Sequence, residues 1–177
     1  MGTLNIGGSL GDKIHELEYY LAREKYDIVA LSETGLDTNQ RINVKGYTLH
    51  RGVLSARGNA RKPRGVAFLV ANYLATSVTK LEPTFTDQLW IRVNGSRGEK
   101  NMYMCSAYMP QPGVAKTQRE EAYSALDHST SLYLEKGAVA LLGDFNARIG
   151  TGTSDEMSRI IGPRRACQGY VEWSLAA

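Results

Sequence analysis

Apolar positions along the chain cluster in short continuous runs, and most of these runs stop at a glycine or a polar residue. Ile28 to Leu31, ahead of Ser32-Glu33, reads as a buried strand, and so does Ala138 to Leu142, ahead of Gly143-Asp144. Residues 3–6 allow only a very short strand before a Gly-Gly-Ser turn. Asp12 is a candidate N-cap for a helix over roughly residues 13–25, with Ile14, Leu17 and Leu21 on one face. Tyr47 to His50 and Gly65 to Ala71 read as two strands, and Leu89 to Val93 with Met102 to Ala107 as a hairpin across NGSRGEK. Tyr108-Met109-Pro110-Gln111-Pro112-Gly113 is a loop, because two prolines cannot continue a central strand. The spacing predicts a second helix over Lys116 to Lys136, with Tyr123, Leu126, Thr130 and Tyr133 inward and Gly137 as its C-terminal cap. Beyond Gly150 no period is evident. The order β-α-β, a run of β, then α-β implies an α+β or layered α/β domain with mostly antiparallel sheet.

Composition narrows this only slightly. The length of 177 residues fits one domain, and 42% hydrophobic with 22% charged residues is ordinary for a globular chain. No window approaches the roughly 20 apolar residues of a membrane-spanning helix, so no membrane partner is expected. The N-terminus shows no signal-peptide pattern, and Ile6 stands where a myristoylation motif needs Ser or Thr. Cys105 and Cys167 are too few for a zinc cluster or disulfide framework, which fits a reducing, intracellular setting, nuclear or cytoplasmic. Cys105, in the run MYMCSAY, reads as a buried small hydrophobe. The net charge of +3 is mild, but Arg51, Arg57, Arg61, Lys62 and Arg64 crowd one segment free of acidic residues. That segment is either a solvated loop or a phosphate-backbone contact.

Chemistry concentrates where apolar runs end. The first run delivers Asn5, the second Glu33, and the third Asp144 and Asn146. Strand ends in layered α/β sheets are common ligand positions. Two carboxylates and two amides converging there would make an all-oxygen site suited to Mg²⁺ or Mn²⁺ rather than zinc. Taken singly, Asn5 before Ile6-Gly7-Gly8 and Glu33 before Thr34-Gly35 also read as turn residues, and Tyr108 as a half-buried aromatic.

Taken together, these stretches resemble the endonuclease/exonuclease/phosphatase superfamily, which has the fold of deoxyribonuclease I. The likeness is greatest to endonuclease domains of LINE-type (non-LTR) retrotransposons. GTLNIGGSL matches at Asn5, YDIVALSET at Glu33, SAYMP at Tyr108, and LLGDFNARIG at Asp144 and Asn146; RGVAFLV and DQLWIRV match two further strands. The resemblance implies a four-layer α/β sandwich of two similar halves, two β-sheets flanked by helices, and divalent-metal hydrolysis of DNA phosphodiesters. It implies that Glu33 binds the metal with help from Asn5. Asp144 and Asn146 would position the attacking water and the scissile phosphate, and Tyr108 would contact that phosphate. A reverse transcriptase domain in the parent element is an implied partner.

The likeness covers residues 3 to about 163, which gives an endonuclease-like domain over 1–163 and a non-matching tail over 164–177. The family goes on to further strands, another Asp and a Ser-Asp-His ending. This chain has only His15, His50 and His128, none in that context, and Leu4 stands where the family has a Trp near its start. The expectation is a C-terminally truncated nuclease that lacks the closing strands of its second half and is impaired in turnover. The alternatives are an inactive nucleic-acid-binding remnant using residues 51–64, and a phosphatase or phosphodiesterase on the same fold. A nucleotide-binding module is disfavoured, because no GxGxxG or Walker sequence occurs.

Overall fold

The computed structural model describes residues 1–36, 40–52, 65–82 and 85–146. Among them the order is β1 (Gly2–Asn5), α1 (Ile14–Glu24), β2 (Ile28–Ser32), β3 (Tyr47–Arg51), β4 (Ala67–Ala71), β5 (Val78–Lys80), β6 (Gln88–Val93), β7 (Met102–Tyr108), α2 (Lys116–Leu134) and β8 (Ala138–Asp144). Two 3-10 turns, Leu10–Lys13 and Asn72–Ser77, join them. The strands form two four-stranded sheets, ordered β1-β2-β4-β3 and β5-β6-β7-β8. Most pairings are antiparallel, as the sequence implies; β1 with β2 and β7 with β8 are parallel, each joined through a helix. A parallel pair needs such a crossover, so each half contains one βαβ unit.

The continuous apolar runs follow from burial on both faces. Ile28, Ala30, Phe68, Val70, Leu89, Ile91, Met104 and Leu142 meet between the sheets. The alternate positions Val29, Leu31, Ala67 and Leu69 pack under Leu17 and Leu21 of α1. On the other side Trp90, Tyr103, Cys105 and Val139 pack under Ala122, Leu126 and Tyr133 of α2. The layers are therefore helix, sheet, sheet, helix, the four-layer deoxyribonuclease I-like sandwich. Cys105 is fully buried, as its run suggests, and burial pushes its thiol well above the ordinary range.

Four expectations need correction. Asp12 does not cap α1: it lies inside the first 3-10 turn, Lys13 occupies the cap position, and no side chain bonds there. The inward face of α2 is Ala122, Leu126, Ser129 and Tyr133, so Tyr123 is exposed and Thr130 only half-buried. Leu126 and Tyr133 face inward as expected, while Ala122 and Ser129 take the places expected of Tyr123 and Thr130. Gly137 is not a left-handed cap, since the helix ends at Leu134; a side chain at Gly137 would strike the Asn101 carbonyl. The last strand runs past Leu142 through Asp144, which pairs with Tyr108. The segment 53–64 and the tail 164–177 lie outside the described residues.

Candidate active site

Parallel pairing decides where the polar residues arrive. Asn5 sits opposite Ser32 at the ends of β1 and β2, and Tyr108 opposite Asp144 at the ends of β7 and β8. A buried Ser106 hydroxyl donates to the Leu31 carbonyl at 3.1 Å and ties the two sheets just below these ends. Asn5 then bridges the sheets directly, its Nδ2 donating to Asp144 Oδ2 at 3.2 Å. Residues 139 positions apart in sequence are thus in contact.

The loops after β1 and β2 hold one another in place. Ile6 N–H donates to Ser32 O (2.9 Å), Gly8 N–H to Glu33 O (2.6 Å) and Leu10 N–H to Thr34 O (2.8 Å). Glu33 is half-buried with φ 51°, in the left-handed region, so the backbone turns sharply at the carboxylate. Asn5 Oδ1 accepts from Gly7 N–H at 2.9 Å, which orients its amide so that Nδ2 faces Asp144. Asp144 is held at both oxygens, because its Oδ1 accepts from Asn146 N–H at 2.9 Å. Asn146 has φ 47° and donates through Nδ2 to Met109 O at 2.7 Å. Among the described residues, the second amide hydrogen and Oδ1 of Asn146 make no further hydrogen bond.

Tyr108 differs from the half-buried aromatic of the sequence reading. It is 3% exposed, its ring belongs to the core between the sheets, and its hydroxyl accepts from Gln111 Nε2 at 3.3 Å. The structure thus brings Asn5, Glu33, Tyr108, Asp144 and Asn146 to one end of the sandwich. Arg57, Arg61, Lys62 and Arg64 fall outside the described residues. The described ends of their segment do lie at this end: Gly52 N–H donates to Val66 O (2.9 Å), and Thr34 N–H, next to Glu33, donates to Gly65 O (3.1 Å). His15 and His128 are exposed on the two helices, and His50 lies on β3, at the sheet edge opposite β1.

Sequence reasoning missed several neighbours. Lys13 donates its ammonium to the Ile6 carbonyl, one residue from Asn5. Asp87, 7% exposed, sits ahead of β6 with its carbonyl accepting from Tyr108 N–H at 2.9 Å. Tyr123 donates its hydroxyl to Phe145 O at 3.1 Å. Asp87 stands just ahead of a strand, but Lys13 ends the turn before α1 and Tyr123 lies on α2, where no local pattern points to this end of the sandwich.

Residues 2–165 match the endonuclease/exonuclease/phosphatase family. The chain belongs to that family. No curated protein matches it in sequence. Among solved structures it is similar to an AP endonuclease from Leishmania major, with TM-score 0.64 and 18% identity over 88% of this chain and 59% of that one. It is also similar to a family protein from Leptotrichia buccalis, with TM-score 0.61, 20% identity, and 84% and 69% of the two chains covered. A third is a 3′ phosphatase from Neisseria bound to a product DNA hairpin, with TM-score 0.63, 20% identity, and 84% and 58% covered. At these identities the likeness is one of fold. The chain spans less than two thirds of the length of the Leishmania and Neisseria proteins.

Proposed function

We propose that this chain carries the larger part of a divalent-metal-dependent site that hydrolyses DNA phosphodiesters, in the manner of a retrotransposon endonuclease. The observation that supports this most is the Asn5–Asp144 hydrogen bond, which joins the ends of two βαβ units next to Glu33. The donor set fits the metal: Glu33 offers carboxylate oxygen, and Asn5 Oδ1, which accepts from Gly7 N–H, keeps a second lone pair; Asp144 lies beside Asn5, and all three are half-buried. Mg²⁺ is satisfied by one or two protein carboxylates with waters and phosphate oxygens completing its shell. Glu33 would hold it, assisted by Asn5. Once bound, Mg²⁺ or Mn²⁺ would polarise a phosphoryl oxygen and lower the pKa of a bound water.

The chain's own groups supply the rest. Asp144, fixed by two donors, keeps acceptor capacity for the proton of an attacking water. Asn146 offers its remaining amide N–H to the scissile phosphate. The Tyr108 hydroxyl, oriented by Gln111, contacts the same phosphate. We assign Arg57, Arg61, Lys62 and Arg64 to the flanking DNA backbone, where clustered cations release counterions. The residue-level likeness of GDFNARIG and RGVAFLV supports the LINE type, with a reverse transcriptase domain as partner. We take residues 1–163 as one domain, with 164–177 as a tail apart from it. Without a histidine at the site the chain alone turns over slowly, since a positioned acid or base supplies about 10²–10⁴-fold.

The test is nicking of supercoiled DNA with Mg²⁺ by wild type, Glu33→Ala and Asp144→Ala. Slow nicking that needs Mg²⁺ and is lost in both variants is the expected result. Nicking that survives both substitutions contradicts the proposal. Salt-sensitive DNA binding without nicking in the wild type would replace it with a nucleic-acid-binding remnant. A preference for small phosphorylated molecules over DNA would replace it with a phosphatase.

A further inference from the structure

Tyr123 leaves 43% of its surface exposed on α2, yet its hydroxyl is committed to the Phe145 carbonyl at 3.1 Å. That carbonyl belongs to the same peptide unit as the Asn146 N–H, which donates to Asp144 Oδ1 at 2.9 Å. One peptide plane is therefore fastened at both ends, to α2 through Tyr123 and to the Asp144 carboxylate through Asn146. Among the described residues, the other bonds of this turn are Met109 N–H to Asp144 O (2.8 Å) and Asn146 Nδ2 to Met109 O (2.7 Å), which tie it to the chain after β7, and Asn5 Nδ2 to Asp144 Oδ2 (3.2 Å), which ties the carboxylate to β1. Helix α2 is itself anchored at this level, because the buried Gln88 Nε2 donates to Ala122 O at 3.0 Å. Asn146 holds a left-handed φ of 47°, a conformation that needs surrounding contacts to persist.

We infer that Tyr123 is a positioning residue for Asp144. It acts through the peptide between Phe145 and Asn146, and the inference rests on the role given to Asp144 above. Without the hydroxyl, that peptide is free to rotate and to take its N–H away from the carboxylate. The aromatic ring need not change, so Tyr123→Phe removes the hydrogen bond and leaves the packing in place.

The experiment compares wild type and Tyr123→Phe by NMR amide exchange and by Mg²⁺-dependent DNA nicking. Exchange at Asn146 rises about two- to tenfold, the range of one net hydrogen bond. The nicking kcat falls by a similar factor, with KM unchanged and the melting temperature lower by no more than about 5 °C. Equal exchange at Asn146 overturns the inference. Exchange that rises more at core amides such as Cys105 than at Asn146, or a melting temperature lowered by more than about 10 °C, also overturns it by marking a general structural role. Faster exchange at Asn146 with an unchanged kcat removes the positioning role. If the wild type does not nick at all, the proposed function fails, and exchange at Asn146 alone decides whether Tyr123 holds the turn.

Discussion

Gly143→Ala is the substitution whose effect the backbone specifies most closely. Gly143 has φ +126°, a region that L side chains rarely adopt, and lies in β8 opposite Ala107 of β7. A Cβ there would stand 2.8 Å from the Ala107 nitrogen and closer still to its carbonyl oxygen. Both are backbone atoms of the β7–β8 ladder, one pair before its end, so no flexible side chain can move aside. The strained φ costs about 1–3 kcal/mol. Opening the β7–β8 ladder leaves a buried backbone group unpaired, for a further 1–3 kcal/mol or so. The sum, about 2–6 kcal/mol, is a large share of the roughly 5–15 kcal/mol that holds a domain together. With a urea slope of about 2 kcal/mol/M, the unfolding midpoint followed by circular dichroism drops by about 1–3 M. Asp144 follows directly, so the bond to Asn5 is disturbed as well. A midpoint within about 0.3 M of wild type would refute the reasoning, since it would mean that β8 accommodates a side chain facing Ala107.

Two further outcomes follow from titratable groups. Burial, and then the charge of Lys80, lower the pKa of His50, so the unfolded chain takes up a proton at higher pH than the folded one. Melting temperature therefore falls as pH drops below about 6.5, and His50→Gln shows a shallower fall; parallel curves would exclude this histidine as the cause. In a Cys167→Ser background, Cys105 resists iodoacetamide in the native protein at pH 7.5 and reacts on unfolding; rapid native labelling would contradict its burial.

Much of this arrangement is legible in the sequence because the chemistry sits where apolar runs stop. Asn5, Glu33 and Asp144 each end or follow a strand, and the strands announce themselves by composition. The three-residue β5 gives no such signal: Val78–Lys80 gains its identity only by pairing with Val93, Arg92 and Ile91. On the inward face of α2, Leu126 and Tyr133 are legible but Ala122 and Ser129 are not, because small residues carry little apolar signal and the neighbouring Tyr123 and Thr130 outweigh them. Gly143 reads locally as the end of an apolar run and Gly137 as a cap. Their reason is close approach to Ala107 and Asn101, a property of strand neighbours and not of flanking sequence. The contact between Asn5 and Asp144 is non-local in the same sense, and no periodic pattern carries it.

The central claim is that Glu33, assisted by Asn5, holds a divalent cation beside Asp144, the carboxylate that the other sheet delivers. Mn²⁺ binding followed by electron paramagnetic resonance tests it without depending on turnover. The account predicts saturable Mn²⁺ binding to the wild-type chain, competed by Mg²⁺. It also predicts affinity reduced at least about tenfold in Glu33→Gln and reduced again in Asp144→Asn, about 1.4 kcal/mol for each factor of ten. Wild-type Mn²⁺ affinity in both variants would contradict it.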